Sequence, residues 1–299
     1  MNEQHNTLLC ITKSQIVESL GDHKIVILPP MDIFKSSHLM NLLGLKSHCI
    51  IFDPWYNKGI GGERSDYIPY ILSILDSLKY ISDHIFFWGF PEIVARFVEK
   101  IPPPLVLRCW LTWYYKNSPS KIRGWRSAQM ACLHLSHPEA KMHVENFLND
   151  EQKTRFDNGK LRFIPGPPSV IEESLLCGFV GRNEQTGHPS QKPLSVIEKL
   201  ILMSSARNEL VMDLMSGSGT TAEAAYRNDR YSILCDISEE YTAIAEKRLN
   251  VKRVAVDTRL IDTIETFSCG LARENLQLPI ESERHSSMNK NLQLSFDIK

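Results

Sequence analysis

The sequence predicts an α/β protein with a doubly wound, mostly parallel sheet, and three observations support this fold class. Apolar strand patterns alternate with amphipathic helix patterns along most of the chain. Two strand patterns end in an aspartate, Asp53 and Asp213, and glycines follow each of them. The chain has 299 residues, of which 42% are hydrophobic, so it can bury a full core in one or two domains. Folds of this class bind ligands at the carboxyl ends of their strands.

Residues 1–137 form the first half of the predicted core. Their apolar periodicity predicts strands at 47–52, 84–88, 105–115 and 130–136, and helices at 67–80 and 91–100. The second helix must end at the following Ile-Pro-Pro-Pro, because proline lacks the N–H group that a helix needs. In residues 138–185 the periodicity weakens, charge density rises and prolines interrupt the chain. We therefore predict a small inserted module at 138–185.

Residues 186–256 form the second half of the predicted core. The pattern predicts helices at 194–205, 220–228 and 239–250, and strands at 209–212 and 231–235. Residues 257–299 are polar and rich in Glu, Arg, Asn and Ser, which predicts a weakly held tail.

Composition excludes several classes of protein. The net charge of −1 gives no general preference for nucleic acid, so only local patches could provide one. The seven cysteines include no C-x-x-C pair, which indicates free thiols in a reducing cytoplasm and neither a disulfide framework nor a metal site. The N-terminus lacks a signal-peptide pattern, and no apolar run approaches the roughly 18 residues of a membrane span. We expect a cytoplasmic protein with no membrane partner and no metal.

The loop after the strand 209–212 has the chemistry of a ligand site. Asp213 ends the strand, Gly217 and Gly219 follow, and the next helix opens directly after them. Glycines let a ligand approach the backbone closely, and the N–H groups at a helix start receive polar or anionic groups. The loop lacks the lysine of a phosphate-binding P-loop, which disfavours a nucleoside triphosphate. Asp236, at the end of the next strand, is suited to the two hydroxyls of a ribose. The alternative is a strand-turn-helix whose glycines serve packing alone.

Residues 49–59, CIIFDPWYNKG, end a strand with more functional side chains than a turn requires. Asn-Gly or Asp-Gly would supply the turn without any aromatic residue. Here an acid, a proline and two aromatics stand together, Asp53, Pro54, Trp55 and Tyr56. The alternative is a strand-ending turn whose aromatics pack in the core. A third stretch, GHPSQKP at 187–193, precedes the helix that leads into the glycine loop and brings a lysine, an amide and a histidine next to it. Its alternative is a proline-bounded turn that only begins this helix.

Together the three stretches resemble a known family. DPWY at 53–56, HPSQKP at 188–193 and DLMSGSGTT at 213–221 resemble the DPPY, HPxQKP and DxFxGSGTT signatures of the amino-methyltransferases of DNA. Their order resembles the permuted beta class of this family, which methylates N6 of adenine or N4 of cytosine with S-adenosylmethionine. The resemblance spans about residues 40–250. It implies a Rossmann-like methyltransferase fold in which 138–185 is a target-recognition module.

The resemblance also implies roles for individual residues. The acceptor would be the exocyclic amine of a flipped base. Asp53 and the Pro54 carbonyl would accept hydrogen bonds from its two N–H groups, and Tyr56 and Trp55 would stack on the base. The cofactor-binding residues implied for S-adenosylmethionine are Gln191, Lys192, Pro193, Asp213, Met215, Gly217, Ser218, Gly219, Thr220, Thr221 and Asp236.

Position 53 favours adenine, because an acid there resembles the adenine-directed members of the family, whereas serine is more usual for cytosine. Trp55 stands where a second proline is usual, and Met215 where phenylalanine is usual. We predict a site-specific DNA (adenine-N6) methyltransferase that acts on double-stranded DNA, with a homodimer and a cognate restriction enzyme as partners that the resemblance allows. An N4-cytosine methyltransferase and a catalytically silent DNA-binding subunit are alternatives. A nicotinamide-dependent oxidoreductase is a weaker one, since it leaves DPWY unexplained.

Residues 105–138 contain five basic residues and no acid, around the stretch KNSPSKIRGWR. In a protein that holds a flipped base, these side chains are candidates for contacts to phosphates and bases. The candidates are Lys121, Arg123, Trp125 and Arg126. The alternative is a solvated loop without a partner.

Overall fold

The described residues form an eight-stranded sheet with helices on both faces. The structure is a computed structural model that describes residues 16–21, 23–57, 62–118, 124–163 and 166–254. The strands are β1 (Ile25–Ile27), β2 (Ser47–Phe52), β3 (Ser82–Gly89), β4 (Val106–Tyr114), β5 (Gln129–Ser136), β6 (Val170–Glu172), β7 (Leu210–Asp213) and β8 (Tyr231–Leu234). The α-helices are α1 (Ile33–Leu42), α2 (Tyr67–Leu78), α3 (Pro91–Val94), α4 (Asp150–Asp157), α5 (Leu194–Ser204), α6 (Thr220–Arg227) and α7 (Glu239–Leu249).

The sheet has the order β1-β8-β7-β2-β3-β5-β4-β6. β5 is antiparallel to β3 and β4, and all other neighbours are parallel. From β2 the chain continues to β3 on one side, whereas β7 and β8 lie on the other side, with Ile50 opposite Met212 in the register. Such a change of winding direction opens a crevice at the carboxyl ends of the strands. The predicted doubly wound, mostly parallel sheet is confirmed.

The central strands are apolar on both faces because both faces are covered. In β2, Ile50 and Phe52 pack into the core beneath α1 and α2. Cys49 and Ile51 point the other way, into the core beneath α5 and α6. This double burial explains why the strand is a continuous apolar run, with Asp53 as the first residue beyond it.

The structure differs from the sequence prediction in several elements. The predicted helix 91–100 is the single turn α3 followed by a 3₁₀ helix, Ala95–Lys100. β1 and β6 were not predicted, because three residues carry too little pattern to distinguish a strand from a loop. Helix α1 was also missed. Within the described ranges, no helix combines the length and the apolar character that a membrane crossing requires.

The segment 138–185 is fastened to the core of the protein. Its strand β6 extends the sheet, with Ile171 opposite Trp113 of β4. The backbone N–H of His143 donates to the carbonyl of Met203 in α5 at 2.8 Å. Helix α4 buries none of its residues. The role of this segment in target recognition stays a prediction, and the predicted tail 257–299 lies outside the described residues.

Candidate active site

A cavity of about 780 Å³ opens at the carboxyl ends of β2 and β7. This volume is in the range of small-molecule sites. The residues after β2 form one wall, the loops after β7 and β8 form the opposite wall, and the turn before α5 closes a third side. Of the residues predicted from the sequence, the cavity is lined by Asp53, Pro54, Trp55, Tyr56, Gln191, Lys192, Asp213, Met215, Gly217, Ser218, Thr220, Thr221 and Asp236. Pro193 is instead the N-cap residue of α5, and Gly219 that of α6.

Asp53 is held on the cavity wall by a tyrosine and a lysine. The Tyr56 hydroxyl donates to Oδ1 of Asp53 at 2.6 Å, and Nζ of Lys192 donates to Oδ2. Nζ of Lys192 also donates to the Tyr56 hydroxyl oxygen at 2.8 Å, which closes a three-membered network. Burial and the neighbouring Asp53 carboxylate raise the pKa of Tyr56 well above its usual value, so its hydroxyl stays protonated and donates. The side chains of Asp53 and Lys192 are only 18% and 5% exposed, and such shielded, charge-assisted hydrogen bonds are strong.

Lys192 is placed by a turn that its own neighbours brace. Oε1 of Gln191 accepts hydrogen bonds from the N–H and the hydroxyl of Thr186, at 3.0 and 2.8 Å. Nε2 of Gln191 donates to the carbonyl of Glu184 at 2.7 Å. The Glu184 carboxylate in turn accepts the N–H of Leu194, the first residue of α5, at 2.6 Å. The side chain of Gln191, predicted to bind the cofactor, therefore stabilises the turn that presents Lys192.

Aromatic rings surround this network. The ring of Tyr56 meets Phe90 edge-on, with centroids 5.0 Å apart. Nζ of the lysine lies 5.2 Å from the centroid of the Trp88 ring, a residue that the sequence analysis did not identify. Trp55 packs against the core, edge-on to Tyr67 with centroids 5.4 Å apart. Tyr56 thus belongs to the hydrogen-bond network, whereas most of Trp55 supports the wall from behind.

Asp213 is a buried carboxyl group on the opposite wall. The Thr221 hydroxyl donates to its Oδ2, and the N–H of Met215 donates to its Oδ1 at 3.2 Å. Burial raises the pKa of Asp213 to about 7, and the charges of Asp53 and Asp236 add to the rise that the two hydrogen bonds oppose. A cation bound in the cavity would favour its ionised form.

The two glycines of the loop after β7 serve different neighbours. Both have left-handed backbone conformations, with φ of +48° at Gly217 and +75° at Gly219. A Cβ atom on Gly217 would lie 2.9 Å from Nε2 of His188, and one on Gly219 would lie 3.1 Å from Cβ of Ala245 in α7. Burial lowers the pKa of His188, whose ring packs edge-on against Tyr241 with centroids 4.4 Å apart. Gly219 therefore allows α7 to pack closely, and Gly217 forms part of the cavity wall.

Asp236 organises the loop after β7 and also faces the cavity. Its Oδ2 accepts the N–H of Gly217 at 2.8 Å, and its Oδ1 accepts the N–H of Ser238 at 2.9 Å. Each carboxylate oxygen keeps a second lone pair for a ligand. The next residue, Ile237, is 68% exposed and lines the cavity. Ile237 was not predicted from the sequence, although a large apolar residue directly after a strand-ending acid is a usable signal.

The hydroxyls of the loop after β7 are bonded to Arg248, which was not predicted from the sequence. Nη1 of Arg248 donates to Oγ1 of Thr220 at 2.8 Å, and Oγ of Ser218 lies 3.0 Å from the same atom. Nε of Arg248 donates to Glu223 at 2.6 Å. Ser218 and Thr220 are therefore held by α7 at the place where α6 begins.

The basic stretch predicted to contact nucleic acid is described only in part. Trp125 is fully exposed, and Arg126 is also exposed. Lys121 and Arg123 lie outside the described residues. Lys116, a further basic residue of this region, pairs with Glu172. Trp125 and Arg126 thus remain candidates for contacts to nucleic acid.

The chain is similar to known DNA methyltransferases over most of its length. The model of the N6/N4 methyltransferase family, described as DNA methylase, matches residues 48–247. Over 243 aligned residues, the chain is 30% identical to the Type II methyltransferase M1.MboII of Moraxella bovis, covering 67% of this chain and 88% of that protein. It is 36% identical over 151 residues to the DNA adenine methyltransferase YhdJ of Escherichia coli, covering 47% of this chain and 51% of that protein. With other curated relatives, the match spans less than half of their length.

Among solved structures, the M1.HpyAVI complex with SAM has a similar fold. The TM-score is 0.58 at 23% sequence identity, and the match covers 76% of this chain and all of that one. At this level of identity the likeness concerns the fold.

Proposed function

Because this chain belongs to the DNA methylase family of N6-adenine and N4-cytosine methyltransferases, we propose that it methylates the N6 amino group of adenine at specific sites in double-stranded DNA. The observation that carries the proposal is the position of Asp53. Its carboxylate lines the same cavity as Asp213 and Asp236, on the wall opposite to them. A methyl acceptor at Asp53 and a methyl donor on the facing wall can therefore meet in one enclosure.

The work of the protein in such a reaction is positioning and charge stabilisation. An exocyclic amine is a poor nucleophile because its lone pair is delocalised into the ring. Hydrogen bonds from its two N–H groups to the Asp53 carboxylate and the Pro54 carbonyl favour a pyramidal nitrogen with a directed lone pair. Lys192 and Tyr56 already hold the carboxylate from its other sides, so it need not reorient when the nitrogen attacks.

The facing wall has a donor and acceptor set that fits S-adenosylmethionine. When bound, this cofactor supplies a methyl group attached to a positively charged sulfur. The free lone pairs of Asp236 can accept its ribose hydroxyls, and the exposed Ile237 offers an apolar surface to its adenine ring. The buried carboxyl of Asp213 would be stabilised as a carboxylate by the positive charge. The charges and hydrogen-bonding groups of these residues support S-adenosylmethionine as the ligand of this wall.

Two observations support adenine over cytosine as the acceptor. The acid at position 53 resembles the adenine-directed members of the family, and a relative with 36% identity over 151 residues is named a DNA adenine methyltransferase. The complete network of Asp53, Tyr56 and Lys192 supports an enzyme over a silent DNA-binding subunit. The segment 138–185 would read the DNA sequence, and the resemblance to Type II methyltransferases makes a cognate restriction enzyme part of this proposal.

Methyl transfer from tritium-labelled S-adenosylmethionine to mixed-sequence duplex DNA tests the proposal directly. Digestion of the product to nucleosides then identifies the labelled base. We expect label in N6-methyladenine alone. Label in N4-methylcytosine would overturn the choice of adenine, and DNA binding without any label would establish the silent subunit.

A further inference from the structure

An exposed aromatic residue that the mechanism does not use lies in the connection between β6 and α5, which also carries Lys192. The side chain of Phe179 is 82% exposed, and the guanidinium carbon of Arg182 lies 4.2 Å from the centroid of its ring. We call these two residues the rim pair. Single exposed apolar side chains are common on protein surfaces, so the position of this pair relative to the cavity carries the argument. The rim pair combines an apolar ring with a positive charge.

The topology brings the rim pair to the same edge of the sheet as the cavity. β2 and β3 are parallel, β5 is antiparallel to both β3 and β4, and β6 is parallel to β4. Hence β2, β4 and β6 all run in one direction. Asp53 follows the carboxyl end of β2, and Phe179 follows the carboxyl end of β6. Trp125 and Arg126, also exposed, lie in the connection that leaves the carboxyl end of β4.

The turn that carries Phe179 is braced and linked to the active site. The N–H of Val180 donates to the carbonyl of Cys177 at 3.0 Å, and Nε2 of Gln185 donates to the carbonyl of Val180 at 2.6 Å. At the end of the turn, the carbonyl of Glu184 accepts from Gln191, the residue next to Lys192. The ring of Phe179 is therefore presented from a backbone that is held in place relative to the cavity.

The carboxylates near the turn are bonded to the start of α5, whereas its guanidinium lies on the exposed side. The carboxylate of Glu173 accepts the hydroxyl of Ser195 at 2.6 Å, and that of Glu184 accepts the N–H of Leu194. Both acids are therefore engaged at the start of α5, whereas the guanidinium of Arg182 is exposed. An outward-facing ring and guanidinium suit a polyanion that also offers aromatic faces, which describes duplex DNA.

We propose that Phe179 enters the base stack of duplex DNA at the gap left by the flipped target nucleotide, and that Arg182 contacts a neighbouring phosphate. This inference rests on the proposed function. Withdrawal of a base breaks its stacking on both neighbours, and apolar side chains that fill or wedge such steps offset part of that loss. Phe179 is thus a positioning residue for base flipping, outside the cavity in which the chemistry occurs.

The test compares Phe179→Ala with a matched control, Tyr80→Ala, in the full chain. Tyr80 is 63% exposed and has Nζ of Lys79 at 5.0 Å from its ring centroid, but it precedes β3 at the opposite edge of the sheet. The methylated site is first mapped by labelled methyl transfer with the parent protein. Affinity is then measured for a duplex with this site, for the same duplex with an abasic target position, and for a duplex without the site.

We expect Phe179→Ala to weaken binding to both site-containing duplexes by roughly 5- to 100-fold, the scale for loss of one base–aromatic stack. Binding to the site-free duplex should change less than twofold, as should all binding by Tyr80→Ala. Arg182→Ala should weaken binding to all three duplexes and lower the salt slope by about one.

The inference is overturned if Phe179→Ala and Tyr80→Ala change DNA affinity equally, or if Phe179→Ala loses as much affinity for the site-free duplex as for the other two. In either case, methylation by the parent protein still supports the proposed function. A parent that labels no DNA overturns both. An unchanged affinity for S-adenosylmethionine confirms that the variants are folded.

Discussion

Nζ of Lys192 donates a hydrogen bond to Oδ2 of Asp53, although the two residues are 139 positions apart in the chain. The bond joins the turn before α5 to the end of β2, and so connects the two halves of the core across the cavity. The position of Lys192 beside the cofactor stays a prediction, and in the structure this lysine holds the Asp53 carboxylate. The full set of hydrogen bonds to this acid therefore forms only when both halves are folded together.

Replacement of Asp53 should separate catalysis from binding. Because its carboxylate acts on the amine as the nitrogen attacks, Asp53→Ala should lower single-turnover methyl transfer by about 10²–10³, with nearly unchanged affinity for duplex DNA and S-adenosylmethionine. The variant also leaves the buried ammonium of Lys192 without its carboxylate, which costs about 3–5 kcal/mol when a buried pair is broken. Asp53→Asn keeps an acceptor for that ammonium and serves as the folded control. An Asp53→Ala protein that methylates DNA at the parent rate would contradict this role of Asp53.

Two substitutions at Tyr56 should distinguish its hydroxyl from its ring. Tyr56→Phe removes the donor to Asp53 but keeps the ring against Phe90, so it should lower turnover and leave DNA affinity unchanged. Tyr56→Ala also removes the ring and should weaken capture of the flipped base by about 1–3 kcal/mol, if the ring stacks on it. Binding to a duplex with a mismatched target base, measured beside single-turnover rates, would show the difference. Equal DNA affinity of both variants would exclude stacking by Tyr56.

Asp236→Ala should weaken binding of S-adenosylmethionine by about 1.5–3 kcal/mol, the scale for hydrogen bonds to a charged group. The substitution also removes the acceptor of the Gly217 N–H, so the loop after β7 should loosen as well. Isothermal calorimetry gives the affinity, and Ser238→Ala is a control that alters the same loop without removing the carboxylate. An unchanged affinity, or tight binding of NADH by the parent, would refute the assignment of this wall.

The buried carboxyl of Asp213 should make stability depend on pH. Burial raises its pKa to about 7, whereas in the unfolded chain it titrates near 3.8. Between these values Asp213 holds a proton in the folded protein that it has lost in the unfolded chain. Its contribution to the free energy of unfolding therefore falls as pH rises from about 4 to 7 and is constant above 7. The full effect is up to roughly 4 kcal/mol. Urea unfolding at several pH values should show that Asp213→Asn gains stability relative to the parent across this window. A difference that does not vary with pH would contradict the raised pKa.

The basic stretch should contribute to DNA binding without regard to sequence. If Lys121, Arg123 and Arg126 contact phosphates, changing all three to Ala should weaken binding to every duplex similarly. The slope of log K against log salt should become shallower by roughly one for each lost contact. A matched control is Lys46→Ala with Arg207→Ala, two exposed basic residues that precede β2 and β7 at the opposite edge of the sheet. If the triple variant keeps the salt slope of the parent, the stretch is a solvated loop that does not contact DNA.

The fold and the two walls of the cavity could be predicted because their signals are local. A strand buried on both faces must be continuously apolar, and the acids that end β2 and β7 therefore mark its carboxyl end in the sequence. The loop glycines were equally visible, since their left-handed conformations have few substitutes. Motif order was enough to suggest which wall faces the acceptor and which faces the cofactor.

What only the tertiary structure decided is how distant residues meet. No periodicity indicates that Lys192 bonds to Asp53, that Gly219 serves α7, or that Arg248 holds the hydroxyl of Thr220. A short strand such as β6 can be recognised only from its pairing with a neighbouring strand, because three residues are too few to show an alternating pattern. The sequence by itself determined the sheet, the acids and the glycine loop through local burial and backbone rules, whereas hydrogen bonds across the cavity depend on the packing of the whole chain.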